Sequence, residues 1–182
     1  MRRLLELHPE SSCPPGMQIA VEVSRPHSYS LVLVYVLRGN IDELNIPTLQ
    51  PPVRGDQLWR TTCLEVFIRS AGAQYCEFNF APSTKWAAYQ FEGYRGGKRP
   101  IDISAPSIEV QSSSKRFTLK ASLQLDSMSS LLGPASWRLG LSALVEERNG
   151  NKSYWAVVHP PGRPDFHHID GFAHVLLPAV QE

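Results

Sequence analysis

The sequence predicts an all-β protein: an antiparallel two-sheet β-sandwich, jelly-roll-like, with about ten or eleven strands and one or two short helical turns. Three segments, residues 17–23, 117–125 and 137–145, alternate apolar and polar side chains with a period of two, as strands with one buried face do. No long helical pattern separates the strands, which argues against a parallel α/β sheet. A sandwich is the architecture that remains.

The other elements follow from composition and turn residues. Residues 29–37 are apolar on both faces, which predicts a central strand. Shorter strands are predicted at residues 4–7, 63–68, 75–80, 86–91, 107–110, 153–158 and 172–177. One helical turn is expected at residues 41–45 and one or two at residues 126–132. The 15 prolines fit stiff loops between these strands.

The whole chain, residues 1–182, is predicted to be one domain. Its net charge is +1 and no block of like charges occurs, so neither nucleic acid nor a membrane surface is expected as a partner. No segment approaches the ~20 apolar residues of a membrane span. The first apolar run is interrupted at Glu6, His8 and Pro9, so no signal peptide is readable and a cytoplasmic location is expected.

The most informative segment is a predicted hairpin of residues 63–68 and 75–80. If the apolar faces of its two strands share the core, Glu65 lies on the same face as Glu77 and Asn79. The favoured register places Glu65 directly opposite Glu77, with Cβ atoms about 5 Å apart. Like charges at that distance destabilise each other, so either a cation lies between them, one is protonated, or both belong to a site.

The candidate cations for this role are Arg60, Lys85, Arg95 and Arg163. The competing interpretation is a solvated outer face on which the two glutamate side chains splay apart.

Aromatic residues are concentrated around the same hairpin: Trp59, Trp86, Tyr89, Phe91 and Tyr94. A tryptophan beside carboxylates and an amide is suited to sugars, because the ring stacks on the apolar face of a pyranose while polar groups bind hydroxyls. Trp59, which follows a polar loop, is the best candidate for exposure. The turn at residues 81–85 leaves open whether Trp86 or Tyr89 shares the glutamate face, and a core role is the alternative for each aromatic residue.

Residues 159–170 contain three histidines and two aspartates, which are residue types that ligate zinc, nickel or copper. Their spacing matches no metal motif, and the three cysteines form no CxxC pair. No metal and no cofactor is therefore predicted. The favoured interpretation is a proline-stiffened loop that closes over a site beside the hairpin, with Arg163 or Asp165 as a charged contact.

Several of these segments resemble DOMON-like domain proteins of bacteria: LWRTTCLEVFI at residues 58–68, YCEFNFAPS at 75–83, WAAY at 86–89, GYR at 93–95, and DFH at 165–167 with the last predicted strand. They are more distantly similar to carbohydrate-binding modules of family nine. The resemblance covers residues 56–177 and implies a β-sandwich with a site for sugar or haem. Sugar-binding members hold the ligand between two tryptophans, and Trp59 is the candidate for one. Haem-binding members use Met and His axial ligands, which neither Met17 nor Met128 matches.

The predicted function is a noncatalytic domain that binds a small polar ligand, a saccharide or glycan fragment. The residues assigned to this site are Trp59, Arg60, Glu65, Glu77, Asn79, Trp86, Tyr89, Arg163, Asp165 and His167. Three alternatives stay open: a haem or redox module, a protein-interaction domain with no small ligand, and a glycosidase. The last would use Glu65 and Glu77, whose expected separation is near that of a retaining pair.

Overall fold

Twelve strands form an antiparallel sheet in the computed structural model, which describes residues 1–179. Their bounds are β1 Arg2–Leu7, β2 Gln18–Ser24, β3 Ser30–Arg38, β4 Cys63–Arg69, β5 Tyr75–Phe80, β6 Trp86–Phe91, β7 Arg99–Pro100, β8 Ser107–Ser113, β9 Arg116–Gln124, β10 Trp137–Glu146, β11 Lys152–Ala156 and β12 His174–Leu176. The predicted all-β antiparallel class is confirmed. Only the two-residue β7 was not predicted, because so short a strand shows no alternation.

The hydrogen-bonded strands follow one path, in the order β7-β6-β5-β4-β10-β11-β1-β2-β3-β9-β8, with β12 also paired to β10. The path is continuous because β1 pairs with β2 on one side and with β11 on the other. The prediction of two separate sheets is therefore not confirmed: the strands form one curled sheet whose halves face each other.

The core lies between these two halves. Side chains from β2 and β3, among them Ile19 and Leu33, share one buried cluster with Val66 of β4 and Phe78 of β5. These are the apolar positions of each alternating pattern, so alternation correctly predicted the inward face. Trp137 begins the inward face of β10, is fully buried, and donates from Nε1 to the carbonyl oxygen of Leu132 over 3.1 Å.

Helix is limited to short segments. Three-residue 3-10 helices occur at Ile41–Glu43, Leu58–Arg60, Asp126–Met128 and Ile169–Gly171, and α1 spans Ser129–Leu132. The turns at residues 41–45 and 126–132 were predicted; the two that flank the outer face of β4 and β5 were not. No helix within residues 1–179 has the length and apolar character needed to cross a membrane.

The outer face of one half-sheet, formed by β4, β5, β6 and β10, is covered by the segment of residues 159–172. Gly140 on β10 permits this packing, since a Cβ there would lie 3.3 Å from Cβ of Phe67 and 3.4 Å from the carbonyl oxygen of Gly171. A larger side chain would push the segment away from the sheet. We call residues 159–172 the covering segment.

Candidate ligand-binding site

The register of the β4–β5 hairpin determines how the two glutamates meet. Glu65 pairs with Asn79, and Glu77 pairs with Phe67, so the predicted register with the glutamates directly opposite is wrong. The observed register pairs every core residue of the two strands: Leu64 with Phe80, Val66 with Phe78, and Ile68 with Cys76. The predicted register would have left Phe80 without a partner on β4. Glu65 and Glu77 are diagonal neighbours on one face, which removes the directly opposed geometry on which the glycosidase alternative rested.

That face is not in water. Glu65 is 3% exposed and Glu77 is 4% exposed, so the interpretation of a solvated outer face is wrong. A second apolar cluster lies on this side of the sheet, made of Phe67, Tyr75, Ala87, Tyr89, Phe91 and Phe172, with Trp59 and Phe166 packed against it. The glutamates therefore lie at the base of a covered, largely aromatic environment.

A cleft of about 370 Å³ opens between this face and the loops around it. Its charged lining residues are Glu65, Glu77, Arg95 and Lys98. Its aromatic lining residues are Trp59, Phe91, Tyr154 and Phe166, and Leu144, Pro164 and His167 complete it. The volume lies toward the small end of the range of small-molecule sites, roughly 300–1,000 Å³.

Glu77 has an amide and a ring as its polar neighbours. Asn79 Nδ2 donates to its Oε1 over 2.7 Å, and Nε2 of His167 lies 3.9 Å from its Oε2. Burial raises the pKa of the Glu77 carboxyl, while the bond from Asn79 opposes that rise. Glu77 is thus held in position by a neutral donor on its own strand.

Glu65 has no amide donor of this kind. Within residues 1–179 its carboxylate forms no ion pair, and the neighbouring Cys63 thiol and Ser142 hydroxyl lower its pKa only in part. Burial, and the nearby charge of Glu77, raise the pKa of the Glu65 carboxyl to about 8. Its cross-strand neighbours on either side are Asn79 and Ser142, and both Oδ1 of Asn79 and Oγ of Ser142 are buried without a partner in this part of the chain.

His167 inserts between the covering segment and the aromatic cluster, 5.0 Å from the ring centre of Phe67 and 5.1 Å from that of Phe91. Its Nδ1 lies 2.8 Å from the hydroxyl of Tyr75, which accepts a bond from the backbone N–H of Arg95. The direction of the bond between Tyr75 and His167 follows from which ring nitrogen carries the proton. Burial lowers the pKa of His167 to about 4, so the ring is neutral at pH 7.

Asp165 fastens the covering segment to the loop after β6. Its carboxylate accepts bonds from Tyr94 Oη at 2.6 Å, from Arg95 Nη2 at 2.8 Å, and from the backbone N–H of His167 at 3.0 Å. These bonds hold the pKa of Asp165 below its ordinary value, although burial opposes that shift. Asp165 therefore shapes the cleft from outside and does not line it.

Trp59 forms one wall of the opening. It is the one tryptophan of the four that is not buried, but it is only partly accessible, so the expected exposure is partial. Its ring meets that of Tyr89 edge-on at 6.1 Å, and Nζ of Lys98 lies 4.2 Å from the Trp59 ring and 3.8 Å from the Tyr89 ring. Lys98 is thus held between two aromatic faces at the rim.

The structure brings four of the predicted site residues into the cleft: Trp59, Glu65, Glu77 and His167. Asn79 and Tyr89 lie on the same face of the sheet but do not line the cleft: Asn79 bonds to Glu77, and Tyr89 packs against Trp59 and Lys98.

Three assignments are corrected. Trp86 pairs with Phe80, which places it on the core side of β6, 4% exposed and beneath the guanidinium of Arg54. Arg60 is exposed, because successive residues of a 3-10 helix point about 120° apart and Trp59 takes the side toward the cleft. Arg163 is exposed at the tip of the proline-rich loop and does not line the cleft.

The sequence assignment left out much of the lining: Lys98, Leu144, Tyr154, Pro164 and Phe166 were not singled out, and Phe91 and Arg95 were noted near the hairpin without being assigned to the site. One signal was present: the three middle outward positions of β10 are Gly140, Ser142 and Leu144, and a solvated strand face seldom lacks charge at three successive positions. For Lys98, in an irregular loop, no periodic pattern exists.

The methionines considered as haem ligands are both in the core, Met17 at 8% exposure and Met128 at 4%. Neither reaches the cleft.

The fold is similar to a solved structure from Bacteroides uniformis ATCC 8492, a protein provisionally described as carbohydrate-binding. The TM-score is 0.67 at 10% identity, and the match covers 97% of this chain and 85% of that one. The likeness is one of fold. Two structures of a family 9 carbohydrate-binding module from Caldicellulosiruptor kristjanssonii, in complex with cellotriose and with glucose, give TM-scores of 0.48 and 0.42 at 10% and 9% identity. They match over 88% and 87% of this chain and 75% and 76% of those chains. No protein-family model matches the sequence, and no curated protein matches it significantly.

Proposed function

We propose that the chain is a single DOMON-like β-sandwich domain that binds a saccharide or glycan fragment in the cleft without converting it. The observation that carries the proposal is the meeting of an accessible tryptophan with two buried carboxylates in one cleft, at Trp59, Glu65 and Glu77. A pyranose has an apolar face and a hydroxyl edge, and this combination serves both.

The distribution of the lining supports this ligand class. Trp59, Tyr154 and Phe166 provide apolar surface around the opening, while carboxylate oxygens lie deeper as acceptors for hydroxyl groups. Hydrogen bonds to a charged acceptor contribute roughly 1.5–3 kcal/mol each. The fold similarity to the Bacteroides uniformis protein provisionally described as carbohydrate-binding also supports a carbohydrate ligand.

The test is a glycan-array screen of the purified protein, followed by isothermal titration calorimetry with the saccharides retained. We expect Trp59→Ala to weaken binding by at least about tenfold while the protein stays folded, since the ring is only partly buried. Trp59→Phe should restore part of the affinity, because it retains an aromatic face. An empty array with wild-type protein of normal thermal stability would overturn the proposal.

A further inference from the structure

Within residues 1–179 neither glutamate at the base of the cleft pairs directly with a lysine or arginine, although Lys98 and Arg95 act on Glu77 from a distance. Arg95 is engaged by Asp165 at 2.8 Å, and Lys98 lies between the rings of Trp59 and Tyr89. Among residues 1–179, the one ion-pair contact made by either glutamate is that of Glu77 with His167, at 3.9 Å. Because that ring is neutral at pH 7, the contact supplies no positive charge.

Unpartnered polar atoms surround Glu65 on its own sheet face. Glu65 is 3% exposed, lines the cleft and makes no ion pair in the described part of the chain. Asn79 Oδ1 and Ser142 Oγ, on the two neighbouring strands, are buried and form no hydrogen bond of good geometry there. Asn79 Oδ1 can only accept and the Ser142 hydroxyl can accept as well as donate, so a group with several N–H donors complements this set.

We infer that the bound saccharide is an amino sugar, and that its protonated primary amine lies against Glu65 and Glu77 at the base of the cleft. The inference rests on the proposed function, which supplies the sugar ring over Trp59. A primary ammonium group has three N–H donors, whereas a quaternary ammonium has none and an N-acetyl group has one and no charge. The primary amine therefore matches both the charge and the unpartnered acceptors.

Electrostatics point the same way. A buried carboxylate without a counter-ion costs several kcal/mol, and a close cation offsets that cost. In the unliganded protein the pKa of Glu65 is raised, so at pH 7 a bound proton offsets part of the cost of burying its carboxylate. When the ammonium group arrives, the Glu65 carboxyl releases its proton to solvent and the carboxylate pairs with the amine. Arg95 and Lys98 at the rim repel cations, so a ligand with one inserted amine is favoured over an extended polycation.

The experiment compares three β-1,4-linked trimers by calorimetry at pH 6, where the glucosamine amine and the Glu65 carboxyl are both protonated before binding: those of glucosamine, N-acetylglucosamine and glucose. We expect the glucosamine trimer to bind at least about tenfold more tightly than either other trimer, since each tenfold corresponds to about 1.4 kcal/mol. Titrations in two buffers of different ionisation enthalpy should show proton release with the glucosamine trimer and none with the glucose trimer.

Three variants sharpen the result. Glu65→Gln should bring the ratio of glucosamine-trimer to glucose-trimer affinity close to one. Lys98→Gln should raise the same ratio, because it removes a repelling charge from the rim. Glu22→Gln, on the exposed face of β2, is the matched control and should leave the ratio unchanged. Thermal melts of each variant check that it is folded.

The outcomes separate the two proposals. If the glucose or N-acetylglucosamine trimer binds as tightly as the glucosamine trimer, the amine inference is wrong and saccharide binding stands. If no trimer and no other saccharide binds, the proposed function fails. If cyclohexylamine, which has the charge without hydroxyl groups, binds as tightly as the glucosamine trimer, the site takes cations and the saccharide assignment is overturned.

Discussion

Asn79 and Glu77 are two residues apart on β5, point to the same face, and are joined by a 2.7 Å hydrogen bond from Nδ2 of the amide to Oε1 of the carboxylate. Within residues 1–179 this is the one hydrogen bond that the Glu77 side chain receives. Asn79 is itself fully buried. A neutral donor thus supports the charged form of a carboxyl that burial disfavours.

Asn79→Leu should destabilise the protein by about 1–3 kcal/mol at pH 8, where a buried acceptor loses its donor. The same change should raise the pKa of Glu77 further. Because a protonated Glu77 no longer needs the bond, the destabilisation by Asn79→Leu should decrease toward pH 4.5. Urea unfolding at pH 4.5 and pH 8 measures the change in unfolding free energy. An equal change at both pH values would show that Asn79 acts through packing alone.

Glu65 should make the protein less stable as the pH rises. Folding raises its pKa from an ordinary 4.5 to about 8, so the folded state binds more protons than the unfolded state across that interval, and stability falls as the pH passes from 4.5 through 8. Glu65→Gln removes this titration. We expect the variant to match the wild type near pH 4.5 and to exceed it by at least about 1 kcal/mol at pH 8. Urea titrations across this pH range, with Glu22→Gln alongside, provide the measurement; a less stable variant at pH 8 would indicate a hidden cation partner.

His167 should act with the opposite sign. Its pKa falls from 6.5 to about 4 on folding, so the folded state binds fewer protons between those values and stability is lost as the pH decreases from 6.5 to 4. His167→Gln retains an acceptor for Tyr75 and does not titrate. The difference between wild type and variant should therefore change with pH over this interval and be constant above pH 7. A difference that is independent of pH throughout would contradict the assignment of a neutral ring.

How far the sequence predicts this site depends on the kind of information involved. Alternation correctly placed Glu65, Glu77 and Asn79 on one face, because a side-chain period of two is a local property. It did not yield their register, which depends on how the cores of two strands match: Phe80 had to meet Leu64. Trp86 was misplaced for the same reason, since its face follows from its pairing with Phe80.

The covering segment was predicted as a loop near the hairpin, and of its residues that line the cleft His167 was assigned to the site but Phe166 was not. Phe166 and His167 enter the cleft, whereas Arg163 and Asp165, the charged contacts expected from sequence, do not line it. Irregular segments have no period from which side-chain direction can be inferred. The uncharged middle outward positions of β10, Gly140, Ser142 and Leu144, were the sequence feature that indicated a cover.

Asp165→Asn tests the link between the covering segment and the loop after β6. The ion pair with Arg95 is half exposed, at 51% of the arginine side chain, so its loss should cost less than about 1 kcal/mol of stability. Ligand affinity should nevertheless fall several-fold, because the wall formed by Phe166 and His167 becomes less ordered. Hydrogen exchange at residues 163–168 and calorimetry report the two effects. Asp170→Asn, exposed in the same segment, is the control and should change neither.

Trp59 and Trp86 provide a contrast between a site residue and a core residue. Trp86→Ala should cost about 3–5 kcal/mol of unfolding free energy, because it leaves a cavity in a packed core. Trp59→Ala should cost less than about 2 kcal/mol, since its ring is only partly buried. Denaturant unfolding of the two variants compares them directly, and equal losses would mean that Trp59 belongs to the core.

The position of β1 has a consequence for the order in which the molecule assembles. The strand joins the two half-sheets, yet it meets β11 through only two residue pairs, Glu6 with Ala156 and Leu7 with Trp155. These pairs are among the most distant in sequence, so their closure carries a large loop entropy and comes late in folding. During synthesis β1 leaves the ribosome long before its partner β11. Until β11 is made, the edge of β1 that will pair with it is exposed, so a partly synthesised chain is most able to pair with another copy of itself at this edge.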